Sequence, residues 1–479
     1  MNPQIRKLMA AMAALLLSLF VAATYIQYWR QPDLVADQRN ARPIYESWKR
    51  DRGPIIAAGQ EIAASKKDED DSQFQRVYAH GREYAAITGY AAMRLHLYSG
   101  LEKAASSELD GTSSSLWTQR VQDLLTGSEP RGGALALSID PKVQQATYDA
   151  MSGKTGAAVA FDPTTGEIKA MVSMPTYDPN HVVQPDAAKA REFLKSLQDD
   201  PTRPLTNRAI AGDRYPPGSV FKLVTAATAL SQGKLTPDTK VDAPDKLPFP
   251  GTNFVMSNYR DEVCGDRHPT FTQALVDSCN TPFGKLGVEL GWDAISEQAQ
   301  KFGFDQDFSI PMGVTRSVFP QTESDAQLAQ SAIGQFNVQV TPMQVAMVSG
   351  AIANKGKLMT PFLIESTLNR DLVVQSTTEP RVLSEALSPE VAEQLKNMMI
   401  EVVKSGTGKN AAIRGVQVAG KTGTAQTGRG GSHAWFTGFA PADNPKIVVA
   451  VVVESTNGEY LSGGVDAAPV ARQIMKAGL

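Results

Sequence analysis

A run of 19 uncharged, mostly apolar residues, positions 8–26, constrains this chain more than any other feature of its sequence. A helix of that length spans the hydrocarbon core of a bilayer. Arg6 and Lys7 precede the run, and Tyr25 and Trp29 close it. This arrangement is typical of a cytoplasmic N-terminus and an aromatic belt at the far interface. We therefore expect a single-pass anchor in the plasma membrane, with the rest of the chain extracytoplasmic.

A cleaved signal peptide is the alternative interpretation of the same run. The run is longer than a signal-peptide core, and aromatic residues follow it where a small-x-small cleavage site is expected. We favour a retained anchor within residues 1–29.

The composition is that of a folded protein, because 42% of the residues are hydrophobic and 20% are charged. A length of 479 residues predicts two or three units. The net charge of −3 provides no basic field for nucleic acid. Five scattered histidines and two cysteines lack the spacing of metal ligands, so we expect no metal and no cofactor.

A cluster of structure-breaking residues at 126–133 marks the expected boundary between two regions. A polar region, residues 30–133, precedes it, and a larger domain, residues 134–479, follows.

The larger domain has strand patterns at both of its ends and helical patterns between them. The predicted strands are 156–161, 168–173, 435–439 and 447–453, and the predicted helices are 220–230, 271–290, 342–354 and 389–404. This order indicates an α+β domain whose sheet is assembled from distant parts of the chain.

Three short motifs, Ser-x-x-Lys, Ser-x-Asn and Lys-Thr-Gly, together define a serine acylation site. Each occurs twice in this sequence, so letters alone do not identify the site. The copies begin at Ser219 and Ser231, at Ser278 and Ser455, and at Lys421 and Lys154.

The first motif is identified by what surrounds Ser219. A Tyr-Pro-Pro-Gly turn precedes it, and the apolar helix 220–230 follows, with Lys222 on the serine's face of that helix. Burial can lower the pKa of a lysine from about 10.4, and an uncharged Lys222 can then take the proton of Ser219. The alternative is a structural, ion-paired or snorkelling lysine. Ser231 is excluded because Gly233 is expected to end the helix there.

The second and third motifs are also chosen by context. Ser278 and Asn280 interrupt the helical pattern 271–290 and offer a hydroxyl and an amide on one turn. The segment from Lys421 to Thr424 follows strand-like residues, and an edge strand there presents a cation, two hydroxyls and an unobstructed backbone at Gly423 to an extended peptide. The copies at Ser455 and Lys154 are expected to lie in turns.

Residues 415–422 also satisfy the nucleotide-binding pattern G-x-x-x-x-G-K-[ST]. Phosphate binding by that pattern needs a flexible loop before a helix. The residues here are β-prone and are followed by further glycines, so we reject a nucleotide site.

With these motifs in the order Ser219, Ser278 and Lys421, the chain resembles the class B penicillin-binding proteins, D,D-transpeptidases that cross-link peptidoglycan. The resemblance extends over nearly the whole chain, and its upstream part is similar to the actinobacterial penicillin-binding protein A group. The further segments that carry it are Phe161-Asp162-Pro163, Tyr177-Asp178-Pro179-Asn180, Thr341-Pro342-Met343-Gln344, Trp435-Phe436-Thr437-Gly438-Phe439, Arg52-Gly53-Pro54-Ile55 and Gly100-Leu101-Glu102.

The resemblance implies the fold and the first catalytic steps. The fold is a penicillin-binding/β-lactamase-like serine-acyltransferase domain, an antiparallel sheet flanked by helices, carried on an N-terminal pedestal or dimerisation-like domain and one transmembrane helix. Ser219 attacks the D-Ala-D-Ala amide and Lys222 is its base. Ser278 relays a proton to the departing D-alanine, and Asn280 holds Lys222 and the substrate.

It also implies how the substrate is bound. Lys421, Thr422 and Thr424 bind the terminal carboxylate, with Gly423 between them leaving the backbone open. The backbone N–H groups of Ser219 and Thr424 form an oxyanion hole. Stem peptides and β-lactam antibiotics are the expected ligands, and a polytopic membrane glycosyltransferase is the expected partner.

Three alternatives accompany this interpretation: a β-lactamase, a D,D-carboxypeptidase, and a non-catalytic β-lactam sensor or scaffold. Residues 365–369 have the letters Glu-x-x-Leu-Asn of class A β-lactamases, but they continue a strand-like run. Nothing in the sequence places Glu365 beside Ser219.

Cys279 lies inside the second motif, and Cys264 precedes it by 15 residues. In an oxidising compartment these two form a disulfide that fixes the active-site turn. Two buried free thiols are the alternative.

Overall fold

The computed structural model describes residues 3–30, 34, 51–67, 73–113, 131–212, 214–258, 263–428 and 430–479. Its first element is a helix, Pro3–Thr24, continued by a π-helical turn, Tyr25–Trp29. Within these 27 residues, an 18-residue window has a mean hydropathy of 2.1, and none of that window is buried against the rest of the chain. The helix therefore fits the single-pass anchor expected from the sequence.

The strands and helices after the anchor are numbered in chain order, with the anchor as α1. The strands are β1 Ile55–Ala57, β2 Gln60–Lys67, β3 Phe74–Tyr78, β4 Ala91–Ala92, β5 Leu97–Tyr98, β6 Ala134–Leu137, β7 Gly156–Phe161, β8 Ile168–Met174, β9 Lys246–Pro248, β10 Val255–Ser257, β11 Phe308–Ser309, β12 Gly313–Val314, β13 Lys357–Met359, β14 Ile364–Leu368, β15 Val374–Thr377, β16 Val382–Glu385, β17 Ala419–Gln426, β18 Ser432–Ala440 and β19 Ile447–Val453. The helices are α2 Gly81–Thr88, α3 Gly100–Ala104, α4 Ser106–Leu109, α5 Pro141–Met151, α6 Pro179–Val182, α7 Ala187–Asp199, α8 Lys222–Ser231, α9 Phe271–Val276, α10 Thr281–Leu290, α11 Trp292–Lys301, α12 Asp325–Ala332, α13 Pro342–Ala353, α14 Pro389–Lys404 and α15 Ala468–Ala477.

A six-stranded sheet in the order β15-β14-β6-β1-β2-β3 joins the N-terminal region to the rest of the chain. β1 and β6 run parallel, and the other neighbours are antiparallel. The sheet contains strands from both sides of residue 133, where we expect the domain boundary. Residues 126–130 of the expected boundary segment lie outside the described residues, and the boundary stays a prediction.

A fully buried carboxylate ties the N-terminal strands to helix α3. Nε of Arg52 lies 2.6 Å from Oε2 of Glu102, and Nε of Arg76 lies 2.6 Å from Oε1. The hydroxyl of Tyr78 donates to the same Oε1 at 3.1 Å. Burial favours the neutral form of Glu102, but the two arginine charges outweigh it and hold its pKa below the usual range. Since breaking such a buried pair costs about 3–5 kcal/mol, this cluster fixes how β3 packs on α3.

A five-stranded antiparallel sheet, in the order β17-β18-β19-β7-β8, forms the centre of the larger domain. The hairpin β7–β8 comes from the start of the domain, and the other three strands, β17, β18 and β19, come from the last 61 residues of the chain. The two parts of the sheet meet where β7 pairs with β19. This confirms the predicted α+β domain with a sheet assembled from distant segments. β17, which carries the Lys-Thr-Gly motif, is an edge strand as predicted.

Both faces of this sheet are buried, which explains the continuous apolar sequence of β19. Val448, Ala450 and Val452 point into one hydrophobic cluster, and Val449 and Val451 into a second. The first cluster includes the helices α8 and α13, and the second includes α5 and α15. The site described below lies on the side of the sheet that α8 covers.

Two helical predictions need correction. The pattern 271–290 is two helices, α9 and α10, because Ser278 adopts a left-handed conformation with φ of 60° and ends the first one. The segment 220–230 begins as a 3₁₀ turn, Gly218–Phe221, before α8 takes over at Lys222. Helices 342–354 and 389–404 lie within one residue of their predicted bounds.

Candidate active site

Ser219 lies in the 3₁₀ turn that precedes α8, where it is half-buried. Gly218 has φ of 55°, and its N–H donates to the carbonyl oxygen of Gly334 at 2.8 Å. The indole N–H of Trp435 donates to the carbonyl oxygen of Pro216 at 3.1 Å. These two hydrogen bonds fix the backbone of residues 216 and 218, which directly precede Ser219.

Lys222, the first residue of α8, is fully buried. Its amine donates to the carbonyl oxygen of Ser278 at 2.6 Å and to Oδ1 of Asn280 at 2.9 Å. Burial lowers the pKa of Lys222 well below that of an ordinary lysine, and the nearby charge of Lys421 lowers it further. Both effects favour the uncharged amine.

The number of hydrogen bonds that the Lys222 amine donates determines whether it can also accept a proton. A neutral amine has two N–H donors and one lone pair, whereas an ammonium has three donors and no acceptor. The carbonyl oxygen of Ser278 and Oδ1 of Asn280 can take the two donors of neutral Lys222, and Oγ of Ser278 is a longer contact at 3.5 Å. The lone pair of the amine is left to accept a proton, and Ser219 lies three residues earlier on the preceding turn.

The Ser-Cys-Asn turn lies between α9 and α10, so that Ser278 and Asn280 both reach Lys222. A disulfide joins Cys264 to Cys279 at the centre of this turn. The disulfide interpretation is therefore confirmed and the free-thiol alternative is wrong. The cross-link ties the motif to the loop before α9.

Lys421 projects from the edge strand β17 into the same cluster and is fully buried. Its Nζ lies 2.7 Å from Oγ of Ser278 and 2.9 Å from the carbonyl oxygen of Thr422. Burial lowers the pKa of Lys421 to about 7. The hydroxyl of Ser278 thus lies between two amines, since Lys222 Nζ is 3.5 Å away on the other side. This arrangement can carry a proton from one amine to the other.

The backbone of β17 packs directly on the Ser219 turn. A Cβ atom at Gly218 would lie 2.6 Å from the carbonyl oxygen of Thr424, and one at Gly423 would lie 3.0 Å from that of Pro217. Only glycine permits this approach at position 218, and a side chain at position 423 would push its neighbours aside by a few tenths of an ångström. The backbones of residues 217–218 and 423–424 thereby lie close together, and the predicted oxyanion-hole donors, Ser219 and Thr424, belong to these two segments.

The second copies of the motifs lie elsewhere. Ser231 is the last residue of α8 rather than a loop residue, and Lys154 precedes β7 in a turn. Ser455 lies in a turn whose backbone N–H groups bond to Glu459. The segment 415–422 enters β17 without the loop and helix of a nucleotide site, and Glu365 lies on β14 in the other sheet.

Sequence reasoning missed Thr407, which lies after α14. Its hydroxyl is 2.6 Å from that of Thr422, and its backbone N–H donates to the carbonyl oxygen of Val276 at 3.3 Å. Thr407 therefore links the strand of the third motif to the helix that precedes the second. The Gly406-Thr407-Gly408 sequence was the available signal, because glycines on both sides of a hydroxyl residue mark a close backbone approach.

Comparisons with known families agree with this geometry. Residues 156–476 match the penicillin binding protein transpeptidase domain. Residues 52–135 match the penicillin binding protein A dimerisation domain.

Individual relatives are similar over the full length. The chain is 40% identical to the peptidoglycan D,D-transpeptidase PbpA of Mycolicibacterium smegmatis, over 100% of this chain and 99% of that protein. Identity to the Mycobacterium tuberculosis protein of the same name is 39%, with the same coverage.

Solved structures give the same result. The ceftriaxone acyl-enzyme complex of penicillin-binding protein A from M. tuberculosis superposes with a TM-score of 0.87 at 38% identity, covering 91% of this chain and all of that one. The corresponding penicillin G acyl-enzyme complex has a TM-score of 0.85 at 38% identity and covers 89% of this chain and 99% of that one.

Proposed function

This chain belongs to the class B penicillin-binding protein transpeptidases, and we propose that Ser219 is the residue acylated by peptidoglycan stem peptides and by β-lactams. The chain is a peptidoglycan D,D-transpeptidase, as its similarity to PbpA over the full length shows. The predicted relation to the actinobacterial penicillin-binding protein A group is confirmed. The assignment of each site residue is our own.

The observation that carries the proposal is the environment of Lys222. A fully buried amine whose two N–H groups bond to Ser278 and Asn280 is a general base for a hydroxyl that is weakly nucleophilic on its own.

In acylation, Ser219 Oγ bonds to the carbonyl carbon of the penultimate D-alanine while its proton passes to Lys222. The negative charge on the carbonyl oxygen is stabilised by the N–H groups of Ser219 and Thr424. Each such donor is typically worth about 3–4 kcal/mol.

Collapse of the tetrahedral intermediate breaks the amide C–N bond. The leaving D-alanine amine takes a proton through the hydroxyl of Ser278, which lies between Lys222 and Lys421. The acyl group stays on Ser219 until the amine of a second stem peptide attacks the ester. That amine gives up a proton to Lys222, which passes it to the departing Ser219 Oγ, and the cross-link is complete.

Lys421, Thr422 and Thr424 bind the terminal carboxylate of the donor peptide. The pKa of about 7 for Lys421 is set by burial. A carboxylate placed beside this amine raises that pKa and keeps the ammonium charged in the complex. β17 is an edge strand, so its outer edge can pair with an extended peptide.

We further propose that the domain after the anchor is extracytoplasmic. A peptidoglycan substrate lies on that side of the membrane, and the Cys264–Cys279 disulfide suits an oxidising compartment. The glycan strands would then be polymerised by a polytopic membrane glycosyltransferase, as the sequence resemblance implies.

The test is covalent labelling with a fluorescent penicillin, followed by mapping of the labelled peptide by mass spectrometry. We expect label on Ser219 in the native protein and none in Ser219→Ala. A D-Ala-D-Ala thioester with and without an acceptor amine separates cross-linking from hydrolysis by a carboxypeptidase. Label on another residue, or equal labelling of Ser219→Ala, contradicts the proposal. Rapid release of the penicillin would indicate a β-lactamase, and labelling without thioester turnover a sensor.

A further inference from the structure

Asn258, at the end of the β9–β10 hairpin, contacts the second motif although it lies outside all three. It is buried, with 6% of its surface exposed. Its Oδ1 accepts hydrogen bonds from the backbone N–H of Asn280 at 2.8 Å and of Thr281 at 3.1 Å. The side chain of Asn258 therefore holds the backbone of Asn280 and Thr281, where α10 begins.

This contact supports the start of α10, where the local side-chain cap is absent. Asn280 occupies the N-cap position of α10, where an asparagine usually bonds to the first free N–H groups of its own helix. Its side chain makes no such bond. Instead, its Oδ1 accepts from Lys222 at 2.9 Å and its Nδ2 donates to the carbonyl oxygen of Ser257 at 3.0 Å. Asn258 satisfies two other N–H groups at this point, those of Asn280 itself and of Thr281.

Ser257, the residue before Asn258, fixes the orientation of the Asn280 side-chain amide. Because Ser257 takes the Nδ2 of Asn280, the Oδ1 must face Lys222 and cannot exchange places with the nitrogen. Residues 257 and 258 therefore hold the backbone of Asn280 and also set the direction of its amide.

We infer that Asn258 is a positioning residue for acylation: it holds the backbone at the start of α10 in place, so that the side chain of Asn280 can orient the amine of Lys222. The inference rests on the proposed function and adds a fourth segment to the site, one that the three motifs do not contain.

The choice of asparagine over aspartate supports this role. In the described part of the chain, Nδ2 of Asn258 is buried without a hydrogen-bond partner. Aspartate would keep both acceptor bonds and remove that unsatisfied donor, and its charge would suit a helix N-terminus. Position 258 thus has a neutral side chain, although a carboxylate there would stabilise the N-terminus of α10 more.

Among the residues that the structure describes, no acidic group acts on the pKa of Lys222. Lys421 on β17 is the charged group that acts on Lys222, and the groups from the other packed elements, Ser278, Asn280 and the Phe283 ring, are uncharged. A carboxylate at position 258 would favour the ammonium form of Lys222 and so oppose its action as a base.

The test compares Asn258→Ala, Asn258→Asp and a matched control, Asn253→Ala, which removes an exposed asparagine from the same hairpin. The second-order rate constant of acylation by fluorescent penicillin is measured from pH 5 to 9, and folding is checked by circular dichroism. We expect Asn258→Ala to lose about 10- to 100-fold in acylation, since a displaced base has an effect of this order. Asn253→Ala should behave as the native protein.

Asn258→Asp distinguishes positioning from a merely structural role. It should retain the fold and recover most of the rate at high pH, while the acidic limb of its profile moves to higher pH, because the new carboxylate stabilises protonated Lys222. If folded Asn258→Ala acylates at the native rate, or if Asn258→Asp leaves the acidic limb unmoved, the inference is overturned. Labelling of Ser219 in the native protein and its absence in Ser219→Ala would leave the proposed function intact in either case.

Discussion

Nζ of Lys222 lies 2.6 Å from the carbonyl oxygen of Ser278, although 56 residues separate the two in the chain. The left-handed conformation of Ser278, with φ of 60°, accompanies this contact. A non-glycine residue adopts that conformation only when the surrounding structure enforces it. The first two motifs are therefore joined through a backbone atom as well as through side chains.

Replacing Lys222 by arginine should abolish most of the acylation. A guanidinium keeps its charge at all accessible pH values and cannot accept the proton of Ser219. We expect the rate constant for labelling by fluorescent penicillin to fall by about 10²- to 10⁴-fold. Lys234→Arg, in the second Ser-x-x-Lys copy, is the matched control and should label at the native rate. Retained labelling of Lys222→Arg would exclude a lysine base.

The acylation rate should have a bell-shaped dependence on pH. It falls at low pH because the active form of Lys222 is neutral, and burial, followed by the charge of Lys421, sets its pKa well below the ordinary value. It falls again as pH rises through about 7, where Lys421 loses the charge that binds the carboxylate. Lys421→Arg should move the alkaline limb to higher pH. A native rate that keeps rising to pH 10 would contradict both assignments.

Gly218→Ala should damage the site through a clash with β17. The added Cβ would lie 2.6 Å from the carbonyl oxygen of Thr424 and push the strand from the Ser219 turn. We expect a loss of about 10²-fold in acylation, the size of effect seen when an oxyanion donor is removed. Gly233→Ala tests backbone strain alone, since its φ is 65° and no atom lies within 4 Å of its Cβ position. It should lower stability by about 1 kcal/mol with native acylation, and equal rates for the two variants would refute the clash.

Cys264→Ala should destabilise the domain and loosen the second motif. Closure of a loop of this length by a disulfide contributes about 3 kcal/mol to the free energy of unfolding, and the variant should lose that amount in urea denaturation. Reductant should lower the stability of the native protein to that of the variant and leave the variant unchanged. A native protein whose unfolding is insensitive to reductant would show that the cross-link contributes little.

The sequence was informative where one segment suffices to define the chemistry. Ser219 and Lys222 are three residues apart beside an apolar run, so their proximity and the burial of the amine follow from helix geometry. The run 447–453 has β-branched residues on both faces, which identifies a strand covered on both sides.

Where two segments meet, the sequence was less informative. The pattern 271–290 has a helical period across the turn, and the left-handed Ser278 that breaks it is imposed by contacts with Lys222 and Lys421. Asn258 and Thr407 belong to the site only because hairpin β9–β10 and the end of α14 pack against it. A lone asparagine in a loop has no signature of its own, and the glycines beside Thr407 indicate a close backbone approach without identifying the segment approached.

The sequence by itself determined the reaction class and the edge strand, and it predicted the nucleophile and the base, because Ser219 and Lys222 lie within one turn of each other and chain geometry fixes such short distances. The tertiary structure decided which carbonyl and amide oxygens bind the Lys222 amine, that Ser278 lies between two lysines, and that Asn258 caps a helix 22 residues away. These contacts join segments far apart in the chain. Their distances depend on how the helices and sheet pack as a whole, which no local pattern records.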